Sequence, residues 1–114
     1  MTSSILVVED YPDLRDAIAE VLSRNDCVCD CVGSEGAIAK LRTTQYAAIL
    51  LASRLSIKGD PVLTYLAQYQ PAELAHVVLM SDPLNADDMP DARCHVLTKP
   101  FGRDELLAQI AAAQ

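Results

Sequence analysis

The stretch over residues 46–56, Tyr-Ala-Ala-Ile-Leu-Leu-Ala-Ser-Arg-Leu-Ser, constrains the fold more than any other. From Tyr46 to Ala52 it is apolar without alternation. A strand reads this way when it lies in a parallel sheet with both faces covered. It ends in polar residues, and the carboxyl edge of an open parallel sheet is where ligands bind. The last position before the loop is Ala52, a methyl group with no chemistry.

The pattern on either side supplies the rest of such a sheet. Apolar runs predict strands over residues 5–8, 27–32, 46–52, 76–80 and 94–98. Between them, apolar residues recur at helical spacing: Leu14, Ile18, Val21 and Leu22 predict a helix over 12–24, and Ala37, Ile38 and Leu41 one over 34–42 with Ser34 as its N-cap. Pro61 opens a helix over 61–69, and Leu106, Leu107 and Ile110 mark the last, over 104–113. The segment from Ser81 to Arg93 breaks the rhythm. Pro83, Pro90 and four aspartates leave room there for one or two helical turns only. Strands alternating with helices predict an α/β, doubly wound, five-stranded parallel sheet in three layers, and 114 residues fit a single domain over 1–114.

Composition narrows the function. Sixteen acidic against nine basic side chains give a formal charge of −7, which argues against nucleic-acid binding, since that needs a concentrated cationic face. No apolar run reaches membrane-spanning length and no basic leader precedes the first strand, so the expectation is a cytoplasmic chain that binds no membrane. Cys27, Cys29 and Cys31 alternate along one strand and share a face, where three small apolar side chains packing under a helix explain them. A zinc site is disfavoured because an extended Cys-x-Cys lacks the turn that gathers ligands around a metal.

In this topology the ends of strands one, three, four and five meet on one rim, which gathers Glu9, Asp10, Ala52, Ser81 and Lys99. Three signatures, Ile-Leu-Val-Val-Glu-Asp over 5–10, the run over 46–55 and Leu-Thr-Lys-Pro-Phe over 97–101, match in order and spacing. With them the chain resembles the receiver domain of two-component response regulators along essentially its full length. The resemblance implies a flavodoxin-like (βα)5 architecture and a phosphorylation switch. An acidic pair holds Mg²⁺, an aspartate ending strand three takes a phosphoryl group from a histidine kinase, a hydroxyl ending strand four binds the phosphoryl oxygens, and a lysine before a cis-proline pairs with them. Glu9 and Asp10 match the acidic pair, Ser81 the hydroxyl, Lys99 the lysine and Pro100 its proline. The phosphoacceptor position is Ala52.

A methyl group is neither nucleophile nor metal ligand. Sliding the register by one brings no rescue, because Ser53 faces the other side of the strand and has no adjacent base. The expectation is therefore a pseudo-receiver that forms no acyl phosphate. Its Mg²⁺ site would be weak or vestigial, with Glu9, Asp10 and the Arg54 carbonyl as ligands, and no other cofactor is implied. Lys99 is expected to pair with the acidic pair instead. In the family an aromatic residue three places before the lysine relays the switch; that place is Val96, with no ring to swing. The fourth helix, usually a surface for dimers and output partners, is expected to be shortened or irregular.

These departures favour a docking or dimerisation module in signal transduction, whose partner is a protein such as a histidine kinase or regulator domain, or a second copy. The alternative is a conventional phosphoryl-accepting receiver carrying an Asp-to-Ala substitution at position 52. A flavin- or nucleotide-binding domain of the same architecture would need a Gly-rich phosphate cradle after strand one, where Glu-Asp-Tyr-Pro-Asp stands instead. An independent enzyme is disfavoured, because nothing near Glu9 and Asp10 supplies a nucleophile or a water-activating base.

Overall fold

The computed structural model describes residues 3–52, 60–81 and 93–114. Its elements in chain order are β1 (Ser3–Val8), α1 (Pro12–Ser23), β2 (Cys27–Val32), α2 (Ser34–Thr43), β3 (Ala48–Ala52), α3 (Pro61–Tyr69), a 3-10 helix (Pro71–His76), β4 (Val77–Ser81), β5 (His95–Thr98) and α4 (Arg103–Ala113). All strand pairs are parallel, in the order β2-β1-β3-β4-β5. That order is the flavodoxin-like doubly wound arrangement, whose switch point lies between β1 and β3.

Strand alternation divides the apolar side chains between two cores. Ile5, Val7, Leu50, Val78, Met80 and Leu97 face Ile18 and Leu22 of α1 and Leu106 and Ile110 of α4. Leu6, Val8, Ile49, Leu51, Val77 and Leu79 face Ala37 and Leu41 of α2, Val62 and Leu66 of α3, and Leu74 of the 3-10 helix. Burial on both faces explains why β3 carries no polar alternation. Local signals set the helix starts. Pro12 and Pro61 occupy first-turn positions, and the Asp60 carboxylate accepts the N–H groups of Val62 and Leu63 at 2.9 and 3.1 Å.

The structure moves several boundaries. β3 starts at Ala48, two residues later than the apolar run suggests; just before it the Ala47 N–H donates to the Ser4 carbonyl of β1 at 2.8 Å and the Tyr46 hydroxyl donates to Asp30 of β2 at 2.6 Å. The connection after Pro71 closes as a 3-10 helix, and β4 starts one residue later than expected. Tyr46 is buried, whereas Tyr11 and Tyr69 are exposed. The 53–59 loop, with Ser53, Arg54 and Lys58, and the expected shortened or irregular fourth helix within 82–92 lie outside the described residues.

Cys27 and Cys29 pack against the α1-side core, as the strand alternation predicts, while Cys31 is exposed. None of the four cysteines is in a disulfide, and among the described residues no group of three or more His, Cys, Asp or Glu side chains is placed to hold a metal ion. Burial, followed by the neighbouring Cys31, Cys27 and Asp30, pushes the Cys29 thiol up to about 11. Burial and then the Asp30 carboxylate that accepts its proton push Tyr46 up to about 12. A group that holds its proton longer in the fold than in the unfolded chain stabilises fully below its unfolded pKa. That contribution is lost as pH rises through the folded value. The windows are pH 9.0 to about 11 for Cys29 and pH 10.0 to about 12 for Tyr46. The melting temperature is therefore expected to fall across this range, and Tyr46→Phe to flatten the upper part of the fall. An unchanged slope in Tyr46→Phe would contradict the assignment.

Candidate functional site

The strand ends bring the expected residues to one rim. Val8 lies level with Leu51, which sets Glu9 beside Ala52; Ala52 lies level with Met80, and Ser81 with Thr98. The Lys99 N–H donates to the Ser81 carbonyl at 2.7 Å and continues the β4–β5 pairing by one residue. The Lys99–Pro100 peptide is cis. Glu9 and Ser81 are buried, at 2% and 6% exposure, so the rim has a polar floor rather than an open surface.

Ala52 belongs to the apolar side of this rim. It is half-buried and packs against the α1-side core that contains Leu50 and Met80. Val96 is half-buried in β5, level with Leu79, and offers an aliphatic side chain where the resemblance implies a mobile ring.

The acidic pair is held by short-range donors. Glu9 Oε1 accepts the Tyr11 N–H at 3.0 Å, and the Glu9 N–H donates to the Val32 carbonyl at 3.0 Å. Asp10 is exposed and reaches across to the start of α2, where its two carboxylate oxygens accept from the backbone N–H and the hydroxyl of Ser34 at 2.9 and 2.7 Å. Among the described residues the Lys99 ammonium forms no ion pair with either acid, contrary to the expectation from charge alone. The physical reason is competition. Main-chain and hydroxyl donors already fixed by folding meet a carboxylate without ordering a long flexible lysine side chain.

Ser34 also departs from expectation. The N-cap of α2 is Gly33, which has no side-chain acceptor, and Ser34 is the first helical residue. Sequence pattern missed this because the capping carboxylate comes from a residue 24 positions away.

Among the described residues the expected donors for Mg²⁺ are the Glu9 and Asp10 carboxylates, whose oxygens also accept protein hydrogen bonds. That ion requires near-octahedral oxygen ligation, generally anchored by one or two carboxylates and several waters. Here a Glu9 oxygen is turned onto the Tyr11 N–H, both Asp10 oxygens are engaged by Ser34, and position 52 offers a methyl group. The Arg54 carbonyl, the third expected ligand, lies outside the described residues.

Solved structures share this fold. The signal receiver domain of a histidine kinase from Syntrophus aciditrophicus superposes with a TM-score of 0.79 at 20% identity, over 98% of this chain and 89% of that one. The chain has a receiver-domain fold. The chemotaxis response regulator CheY4 of Vibrio cholerae matches over the whole of both chains, with a TM-score of 0.79 at 15% identity. The receiver domain of a sensor histidine kinase from Pseudomonas aeruginosa, solved with a magnesium ion in its active-site cleft, reaches 0.78 at 22% identity over 99% of this chain and 98% of that one. No family model and no curated protein matches the sequence. The receiver fold is thus retained here, with Ala52 at the end of β3, Asp10 bonded to Ser34 and Val96 in β5.

Proposed function

We propose that this receiver fold serves signal transduction as a pseudo-receiver, which takes no phosphoryl group and acts through protein–protein docking or dimerisation. Ala52 carries this reading: the rim keeps Glu9, Ser81, Lys99 and a cis Pro100 around a position that has no nucleophile. The partner is a histidine kinase, a regulator domain or a second copy of the chain. The net charge of −7 opposes contact with nucleic acid. No described helix is long and apolar enough to cross a membrane. With the phosphoacceptor gone, recognition depends on the shape of the folded domain rather than on its phosphorylation state.

Titration with Mg²⁺ and beryllium trifluoride, a phosphoryl mimic, followed by amide NMR tests this. The amides of Glu9, Asp10, Ser81 and Lys99 are expected to show no saturable shifts. Saturable shifts at these residues would mean that a ligand-driven switch survives, and the proposal would fail.

A further inference from the structure

The start of α2 is built from two places in the chain. A helix opens with N–H groups that lack intrahelical partners, usually met by the side chain of the N-cap residue. Gly33 occupies that place in α2 and cannot supply one. Asp10, from the turn after β1, supplies it instead: Oδ1 accepts the Ser34 N–H at 2.9 Å and Oδ2 accepts the Ser34 hydroxyl at 2.7 Å. A carboxylate at this end of a helix also meets the positive end of the helix dipole.

Gly33 sits against the same carboxylate. Its backbone, at φ −82° and ψ 176°, is ordinary extended chain open to any residue, so conformation does not demand glycine. A Cβ at position 33 would stand 2.8 Å from Asp10 Oδ1, so a side chain there would push the Asp10 carboxylate from its place at Ser34.

We propose that Asp10, Gly33 and Ser34 form a single clasp in which Asp10 caps α2 from across the sheet edge, fixing α2 to β1 and withdrawing Asp10 from cation binding. The clasp does not depend on whether the domain takes a phosphoryl group. It assigns Asp10 a structural role in place of the ligand role that the resemblance implies.

The two roles predict opposite signs. In an empty cation site, Asp10 is repelled by neighbouring Glu9, and removing its charge raises stability. In a clasp, removing it lowers stability. Thermal unfolding of Asp10→Ala is expected to show a midpoint lower by about 4–8 °C, in line with the loss of a helix cap in a domain of this size. Asp10→Asn, which keeps an acceptor for the Ser34 N–H, is expected to lose less.

Ser34→Ala is also expected to lower the midpoint, and the Asp10→Ala/Ser34→Ala pair to lose less than the sum of its parts, as contacting residues do. Gly33→Ala should cost stability in the wild-type background and less when Asp10 is alanine. Addition of MgCl₂ should leave the wild-type midpoint unchanged. A higher midpoint in Asp10→Ala, additive losses at positions 10 and 34, or a Mg²⁺-dependent rise abolished by Asp10→Ala would each overturn the proposal. Should Asp10→Ala fail to fold, the milder Ser34→Ala and Gly33→Ala variants still decide it: two midpoints equal to wild type would refute the clasp.

Discussion

Ala52→Asp is expected to destabilise the domain at neutral pH by about 2 kcal/mol, the scale of a poorly compensated polar group placed in a partly buried site. Three features of the fold set the sign. The Ala52 methyl packs against the α1-side core, so a carboxylate there replaces apolar contact with a group that prefers water. The strand register places it next to Glu9, which is only 2% exposed. Adjacent parallel strands run about 4.8 Å apart, close enough for two carboxylates to repel strongly where solvent is scarce.

The pH dependence has a definite direction. Repulsion and burial hold the added carboxyl protonated in the fold to a higher pH than in the unfolded chain. The penalty should therefore be small near pH 4 and grow as pH rises through the carboxylate range. Denaturant unfolding at pH 4 and pH 7 measures both. Higher stability in Ala52→Asp at pH 7 would contradict this account, since it would mean that Lys99 reaches position 52 and that the rim remains fitted to an acid there.

The sequence made the strands of the sheet legible because the residues that bury on both faces are the ones that form apolar runs. Ile5 to Val8 and Ile49 to Leu51 are buried and read as such without any structure. Helix openings at Pro12 and Pro61 were equally legible, because proline restricts the chain locally. Contacts between distant segments were not. Tyr46 looks like the first residue of a strand, whereas in the fold it lies before β3, buried, with its hydroxyl bonded to Asp30, 16 positions away. Ser34 looks like its own helix cap, but the capping carboxylate belongs to Asp10.

The rim shows the same division. Position and spacing brought Glu9, Ala52, Ser81 and Lys99 to one edge, and the cis peptide at Pro100 agrees with the resemblance. Pairing at that edge did not follow from charge. A lysine beside two acids suggests an ion pair, yet the acids turn to the Tyr11 N–H and to Ser34. Which donor a carboxylate selects depends on where backbone N–H groups point, and that is a property of the folded turn.

The largest predicted effect is the absence of a reaction. Acyl phosphate formation requires a carboxylate oxygen to attack the phosphorus of the donor as the donor's leaving group departs. At position 52 there is no oxygen, and Ser53, the next hydroxyl along the chain, would form a phosphate ester rather than an acyl phosphate. The two products differ in chemistry: hydroxylamine cleaves the acyl phosphate and leaves the ester intact.

The decisive measurement is the intact mass of the wild-type chain and of Ser53→Ala after incubation with acetyl phosphate and Mg²⁺, read before and after hydroxylamine. Neither protein is expected to gain phosphoryl mass. A Mg²⁺-dependent phosphoryl adduct that persists in Ser53→Ala and is removed by hydroxylamine would contradict it.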